Sequence, residues 1–208
     1  MIKVENIDYW GFEHAIRGMR NPKNSWDKSD SDYEPANFCD HDFIIGSNDL
    51  SLMQRLYKSG TEHRTYARMI QVSMDITAPL YWWKEMDRYT VGKSQISCST
   101  MHKIAAKEFE LDDFSFENVE GRDEECVISL FLNVLNTNRK KYLETKDKQY
   151  WWNMIQLLPS SYNQRRTICM SYENVFKIIR ERTGHKLDEW NDFVKILSNL
   201  PYVKEIAE

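Results

Sequence analysis

The sequence predicts an α+β fold in which helices dominate and a small sheet, antiparallel or mixed, supplies the rest. Two features carry this. Several stretches repeat apolar residues at helical spacing between start and stop signals, whereas one stretch after Tyr66 alternates apolar and polar residues. A composition that is 41% hydrophobic and 13% aromatic, with only seven Gly and five Pro in 208 residues, is that of a globular chain with one sizeable core. A single domain over residues 1–208 is expected.

The elements follow in order. Residues 2–7 mix β-formers with polar groups and are read as a first strand, with a short helix over residues 12–19. Residues 21–42, NPKNSWDKSDSDYEPANFCDHD, are rich in side chains that hydrogen-bond to their own backbone and compete with helix and sheet, so a long loop is expected there. Residues 47–59 place Leu50, Met53, Leu56 and Tyr57 at helical spacing behind a Ser or Asn cap, and Gly60 stops the helix. From Tyr66 the alternation of Ile70, Val72, Met74 and Ile76 with polar residues predicts a half-buried strand. Pro79 ends it and starts a helix over residues 80–87.

A short helix and the acidic turn LDDFSFENVEG fill residues 104–121. A long amphipathic helix over 124–143 then lines up Val127, Leu130, Phe131, Val134 and Leu135, with Arg139, Lys140 and Lys141 suiting its C-terminal dipole. A helix over 147–158 carries Tyr150, Trp151, Met154, Ile155 and Leu158 on its apolar face and ends at Pro159. Further helices are expected over 171–182 and 187–197, broken at Gly184. The paired tryptophans Trp82, Trp83 and Trp151, Trp152 are expected to serve packing.

A formal net charge of -4 offers no general attraction for a nucleic-acid polymer, so an anion site must be a local cluster and its ligand small. Cys39, Cys98, Cys126 and Cys169 are scattered without CxxC pairing and the first residues lack an apolar run, which fits a reduced cytoplasmic chain. No apolar stretch is long enough for a membrane span, and the five histidines show no ligand spacing, so no metal is expected. Cations gather at residues 84–88, at Arg165 and Arg166, and at residues 180–185. Arginine forks of this kind hold phosphate or donate to a carbonyl that gains negative charge, although charged groups at helix ends are usually solvated and paired with acids nearby.

The order of a helix ending Leu-Tyr-Lys-Ser-Gly, a strand, Ala-Pro, a helix, a cation and a Ser-rich segment resembles the flavin-dependent thymidylate synthases. So does the C-terminal part, through Leu158, Pro159, Tyr162, Arg165, Arg182, His185 and Trp190. The resemblance covers residues 49–103 and 150–190. It implies that Arg88, Ser99, Arg165 and Arg182 contact a pyrimidine nucleotide, with Arg182 as the catalytic group set against the uracil ring, and that Thr65 and Arg88 contact FAD. It further implies NADPH and methylenetetrahydrofolate as co-reactants and a homo-oligomer, a tetramer favoured, as the assembly.

The departures fall mainly on the flavin side. Where the family signature runs Arg-His-Arg, this chain has Arg88, Tyr89 and Thr90, followed by Ser97, Ser99 and Met101, so the arginine after the serine is missing. The family's Asn-x-Arg becomes Ser171 and Glu173, and a further asparagine becomes Lys177. His63 and Thr65 lie on a His-x-Thr pattern. Three functions stay open: methylation of dUMP to dTMP with FAD, a nucleotide-binding protein on the same fold without redox chemistry, and a structural or interaction protein.

Overall fold

The predicted alternation becomes strand β4 (Gln71–Pro79) in a computed structural model that describes residues 1–34 and 43–208. Val72, Met74, Ile76 and Ala78 are buried along one face of it. The stretch before it differs from the expected strand: Thr61–Arg68 folds as 3-10 turns, with Tyr66 and Ala67 both buried. The Tyr66 hydroxyl donates to the Met53 carbonyl at 2.9 Å, which fixes this turn.

Four strands make the main sheet, in the order β1 (Lys3–Trp10), β4, β6 (Asn163–Ser171) and β5 (Lys93–Ser97). Backbone bonds from Leu80 N–H to the Tyr162 carbonyl and from Tyr172 N–H to the Ile70 carbonyl show that β4 and β6 run antiparallel. Those from Cys98 to Arg165 and from Ser171 to Gly92 show the same for β5 and β6. Neither β5 nor β6 was foreseen. β5 is an edge strand, exposed along nearly its whole length, so it carries no apolar alternation. β6 buries Ile168 and Met170 only in its second half, while its first half is polar.

The helices are α1 (Phe12–Arg20), α2 (Ser47–Lys58), α3 (Leu80–Met86), α4 (Thr100–Lys103), α5 (Arg122–Thr145), α6 (Lys148–Leu157), α7 (Tyr172–Arg182), α8 (Asp188–Ser198) and α9 (Val203–Ala207). A short helix thus precedes residue 104, and the acidic stretch after it holds a 3-10 turn at Leu111–Asp113. Trp82 and Trp83 are fully buried and meet edge to face at 4.9 Å. Among the described residues no helix is long and apolar enough to cross a membrane.

The expected loop over residues 21–42 is only partly loop. Its described portion holds 3-10 turns at Asn21–Lys23 and Trp26–Lys28 and strand β2 (Asp32–Tyr33), which pairs antiparallel with β3 (Phe43–Ile44); residues 35–42 lie outside the described part. It also caps α2, whose N-cap is Gly46 rather than a Ser or Asn. The Asp30 carboxylate accepts from the backbone N–H of Asn48 at 2.9 Å and of Asp49 at 3.1 Å.

Two compact units divide the chain. The first comprises Met1–Glu5, Asp75–Arg88 and Gln95–Thr167. Its core is Ile104, Phe109, Phe114, Leu135 and Met154, with α5 packed on α6. Phe114 stacks on Phe116 at 5.4 Å and meets Phe131 and Tyr162 edge on. The expected apolar face of α5 is corrected here: Leu135 is buried, but Val127 and Leu130 are 66% and 64% exposed. The second unit comprises Asn6–Met74, Tyr89–Ser94 and Ile168–Glu208. It buries Phe12, Tyr172, Val175, Phe176, Trp190 and Phe193.

Candidate functional site

In the second unit, the start of α7 is tied to the turn at Val91 and Gly92. Ser171 N–H donates to the Gly92 carbonyl at 3.2 Å, and the Asn174 side-chain amide donates to the Val91 carbonyl at 2.8 Å. Gly92 has φ 71°, a conformation that favours glycine, and a Cβ there would stand 3.2 Å from Asn174 Nδ2. Beside this junction opens a cleft of about 550 Å³, within the range of small-molecule sites. Arg68, Gln71, Lys93, Ser171, Glu173 and Lys177 line it. Three cations against one carboxylate give its lining a net positive charge, the sign that attracts an anion.

Three positions that the resemblance assigns to flavin contact, Ser171, Glu173 and Lys177, thus share one cleft. Burial pushes the Glu173 carboxyl up, against the opposing pull of Arg64, Arg68, Arg180 and Lys177. Arg64 lies 4.0 Å from Glu173, with its Nε donating to the Tyr57 carbonyl at 2.9 Å and its guanidinium 4.2 Å over the Tyr57 ring. Among the described residues, neither Glu173 Oε2 nor Arg64 Nη1, both buried, finds a hydrogen-bond partner. Such atoms are costly unless something satisfies them. Thr65 does not line this cleft; it is exposed, and its hydroxyl donates to the Glu62 carbonyl at 3.3 Å.

A second cluster in the same unit surrounds Arg182. Its guanidinium carbon lies 4.4 Å over the buried Trp190 ring, and its Nε donates to the Tyr89 hydroxyl at 2.9 Å. Its Nη1 stands 3.1 Å from His185 Nε2. The Tyr89 hydroxyl donates in turn to Glu181 at 3.1 Å. Stacking on Trp190 and the charge-assisted bond to Tyr89 hold this guanidinium in one orientation.

The first unit holds the other expected nucleotide contacts, Arg88, Ser99 and Arg165. Arg165 is bound to Asp75 at 2.7 Å and lies 3.7 Å from Glu5, so its charge is met by two carboxylates. Arg88 is exposed just after α3, with its backbone N–H on the Glu85 carbonyl. Ser99 is exposed and caps α4, its hydroxyl accepting from His102 N–H at 3.2 Å. The neighbouring Cys98 N–H bonds the Arg165 carbonyl at 2.9 Å, so Ser99 follows directly on the strand beside Arg165. Arg166, noted with Arg165 as a cation pair but given no site role from sequence, is the more enclosed of the two arginines: it stacks 4.3 Å over Trp83 and pairs with Asp87 at 2.8 Å.

The cleft cations Arg68 and Lys93 and the tyrosine at position 89 were also missed as site residues. Arg68 and Lys93 are far apart in sequence and belong to no motif, so only the fold brings them together. Tyr89 left one signal, in that it stands where the resemblance expects a histidine.

No known family model matches the sequence, and no curated protein sequence matches it. Solved structures do match over nearly the whole chain. A flavin-dependent thymidylate synthase, ThyX, from Helicobacter pylori, complexed with FAD and dUMP, shares 18% identity at a TM-score of 0.69, covering 99% of this chain and 97% of that one. A second structure of the Helicobacter pylori enzyme with FAD and dUMP gives 17% identity and a TM-score of 0.68, over 100% of this chain and 97% of that one. The UMP/dUMP methylase PolB from Streptomyces cacaoi, bound with 5-Br dUMP, shares 15% identity at a TM-score of 0.64, over 100% of this chain and 94% of that one. At these identities the likeness establishes architecture: the chain has the fold of the flavin-dependent thymidylate synthases.

Proposed function

We propose that this protein is a flavin-dependent thymidylate synthase-like enzyme that methylates dUMP to dTMP, with methylenetetrahydrofolate as one-carbon donor and NADPH as reductant. The observation that carries the reading is the cleft at the start of α7, where Ser171 and Lys177 stand with Arg68 and Lys93. This donor set fits the FAD pyrophosphate: three cations oppose one carboxylate, and that carboxylate has Arg64 beside it. Bound flavin would supply hydride transfer, and the protein would supply binding and orientation.

Arg182 is the group assigned to the uracil ring, where a fixed cation favours the ionised form of the base. Its plane is set by Trp190 and its Nε by Tyr89, so little reorganisation is left for the moment of reaction. The resemblance also assigns Arg88, Ser99 and Arg165 to the nucleotide and Thr65 and Arg88 to the flavin, although neither Thr65 nor Arg88 lines the cleft. Arg165 can serve a phosphate only by sharing or releasing Asp75, which lowers its contribution relative to a free arginine. The chain works as one thymidylate synthase-like domain in a cytoplasmic homo-oligomer, a tetramer favoured, with the large exposed apolar groups Val127, Leu130 and Ile96 available for self-association.

A second reading, nucleotide binding without turnover, draws on Glu173, a carboxylate in the place of a family arginine. One assay separates them: dTMP formation from dUMP with FAD, NADPH and methylenetetrahydrofolate present. Product formation that depends on FAD and is lost in Arg182→Ala supports the enzyme, whereas dUMP binding with no product supports the second reading. A species of only 24.9 kDa in light scattering would refute the oligomer.

A further inference from the structure

We infer that Tyr89 is a positioning residue for Arg182, its hydroxyl joining Glu181 to the arginine so that the guanidinium faces the nucleotide in one fixed orientation. The inference rests on the proposed nucleotide role of Arg182. It is carried by geometry within the second unit. Tyr89 is 5% exposed, its ring meets that of the fully buried Trp190 at 6.1 Å, and Arg182 packs over Trp190. A phenol hydroxyl can accept one hydrogen bond while donating another, and here it does both: it accepts from Arg182 Nε at 2.9 Å and donates to Glu181 Oε2 at 3.1 Å.

The order of the chain matters chemically. Glu181 orients the hydroxyl hydrogen away from Arg182, which leaves an oxygen lone pair for the guanidinium. Burial pushes the phenol's pKa up; Arg182 pulls it down, and Glu181 raises it again, so the group stays protonated and remains a donor to Glu181. His185 Nε2 lies 3.1 Å from Nη1, a second contact at the guanidinium, and its backbone is held by the Asn191 side chain, which donates to the His185 carbonyl at 2.8 Å. The Lys177 ammonium lies 5.5 Å from the centre of the Tyr89 ring, which links this cluster to a residue of the cleft. A phenylalanine at position 89 would keep the stack and lose the link.

The test uses the full-length protein labelled with 15N-arginine. In the wild type the Arg182 Nε–H, identified as the resonance absent in Arg182→Lys, should exchange slowly with solvent. Tyr89→Phe should bring that proton to solvent-like exchange and weaken dUMP binding about three- to tenfold by calorimetric titration, the range for losing one support of a charged contact. Glu181→Ala, at an exposed carboxylate that places the fold at little risk, should shift both readouts in the same direction by less. A slow Nε–H that persists in both variants overturns the inference, and so does its loss with dUMP affinity unchanged. Wild-type protein that binds no dUMP sinks the nucleotide reading instead, while the Nε–H signal still decides whether Tyr89 holds Arg182.

Discussion

Asp49→Asn tests the packing of the second unit at its most demanding point. The Asp49 carboxylate is fully buried and accepts from Arg20 Nε at 2.6 Å, Ser31 Oγ at 2.7 Å, Ser29 Oγ at 2.8 Å and the Asp30 N–H at 3.0 Å. It thereby ties the described part of the loop after α1 to α2. Arg20 is only 4% exposed. Asparagine keeps the shape and can still accept from Arg20 on one side. On the other it presents NH2 to two hydroxyls, which can rotate, and to the Asp30 N–H, which cannot. The substitution therefore leaves a buried guanidinium without its counter-charge and a buried N–H without an acceptor, a loss of about 3 to 5 kcal/mol.

Urea unfolding at neutral pH, followed by circular dichroism, should show a lower midpoint with an unchanged slope. The pH dependence gives the sign. Burial raises the Asp49 pKa, but the bonds from Ser31, Ser29, Arg20 and Asp30 outweigh it and hold the carboxyl below its usual range. Its contribution is therefore complete above the ordinary aspartate pKa and fades as pH falls through the lower folded value. The gap between wild type and Asp49→Asn should close in acid. A neutral-pH difference under about 1 kcal/mol, the size of one ordinary hydrogen bond, would mean that Asp49 does not hold Arg20 and the Asp30 N–H in this way.

Other outcomes are expected at the cleft and in the first unit. Glu173→Gln should stabilise the protein at neutral pH: a carboxyl with a raised folded pKa binds more protons folded than unfolded, so stability falls as pH rises through that window, and the midpoint of urea unfolding reads the difference. Glu173→Arg should tighten FAD binding at least about tenfold with dUMP affinity unchanged, because a charge pair about 8 Å apart at an effective dielectric near 20 is worth about 2 kcal/mol before screening. Equal titrations for variant and wild type would take Glu173 out of the flavin site. On α5, Leu135→Ala should cost about 2 to 5 kcal/mol and Leu130→Ala under about 0.5 kcal/mol by denaturant unfolding at low protein concentration.

Much of the architecture was legible because burial leaves a period in the sequence. β4, α7 and α8 each have a buried stripe, while α2 and α6 have a half-buried one around Met53 and Met154, and the expected bounds differ from the observed ones by a few residues. β5 left no such trace, since an exposed edge strand has no face to conceal. α5 misled in the opposite way: Val127 and Leu130 fit an apolar stripe that the fold of this chain does not cover. Site residues divide along similar lines. Arg182, marked by resemblance, sits in a well-supported cluster, whereas Arg165, marked by the same argument, is met by Asp75 and Glu5, which lie far from it in sequence. No spacing rule could have joined Arg68, Lys93 and Lys177, because the antiparallel pairing of β5 with β6 and the start of α7 bring their segments together only in three dimensions.

Whether the cleft at the start of α7 takes a flavin is read from the visible absorbance spectrum of the full-length protein, as purified and after titration with FAD and removal of the unbound cofactor. Flavin binding in the cleft predicts a protein-bound band that rises to saturation with the FAD supplied and weakens as salt screens Arg68, Lys93 and Lys177. A colourless protein that takes up no FAD even at millimolar concentration would contradict it.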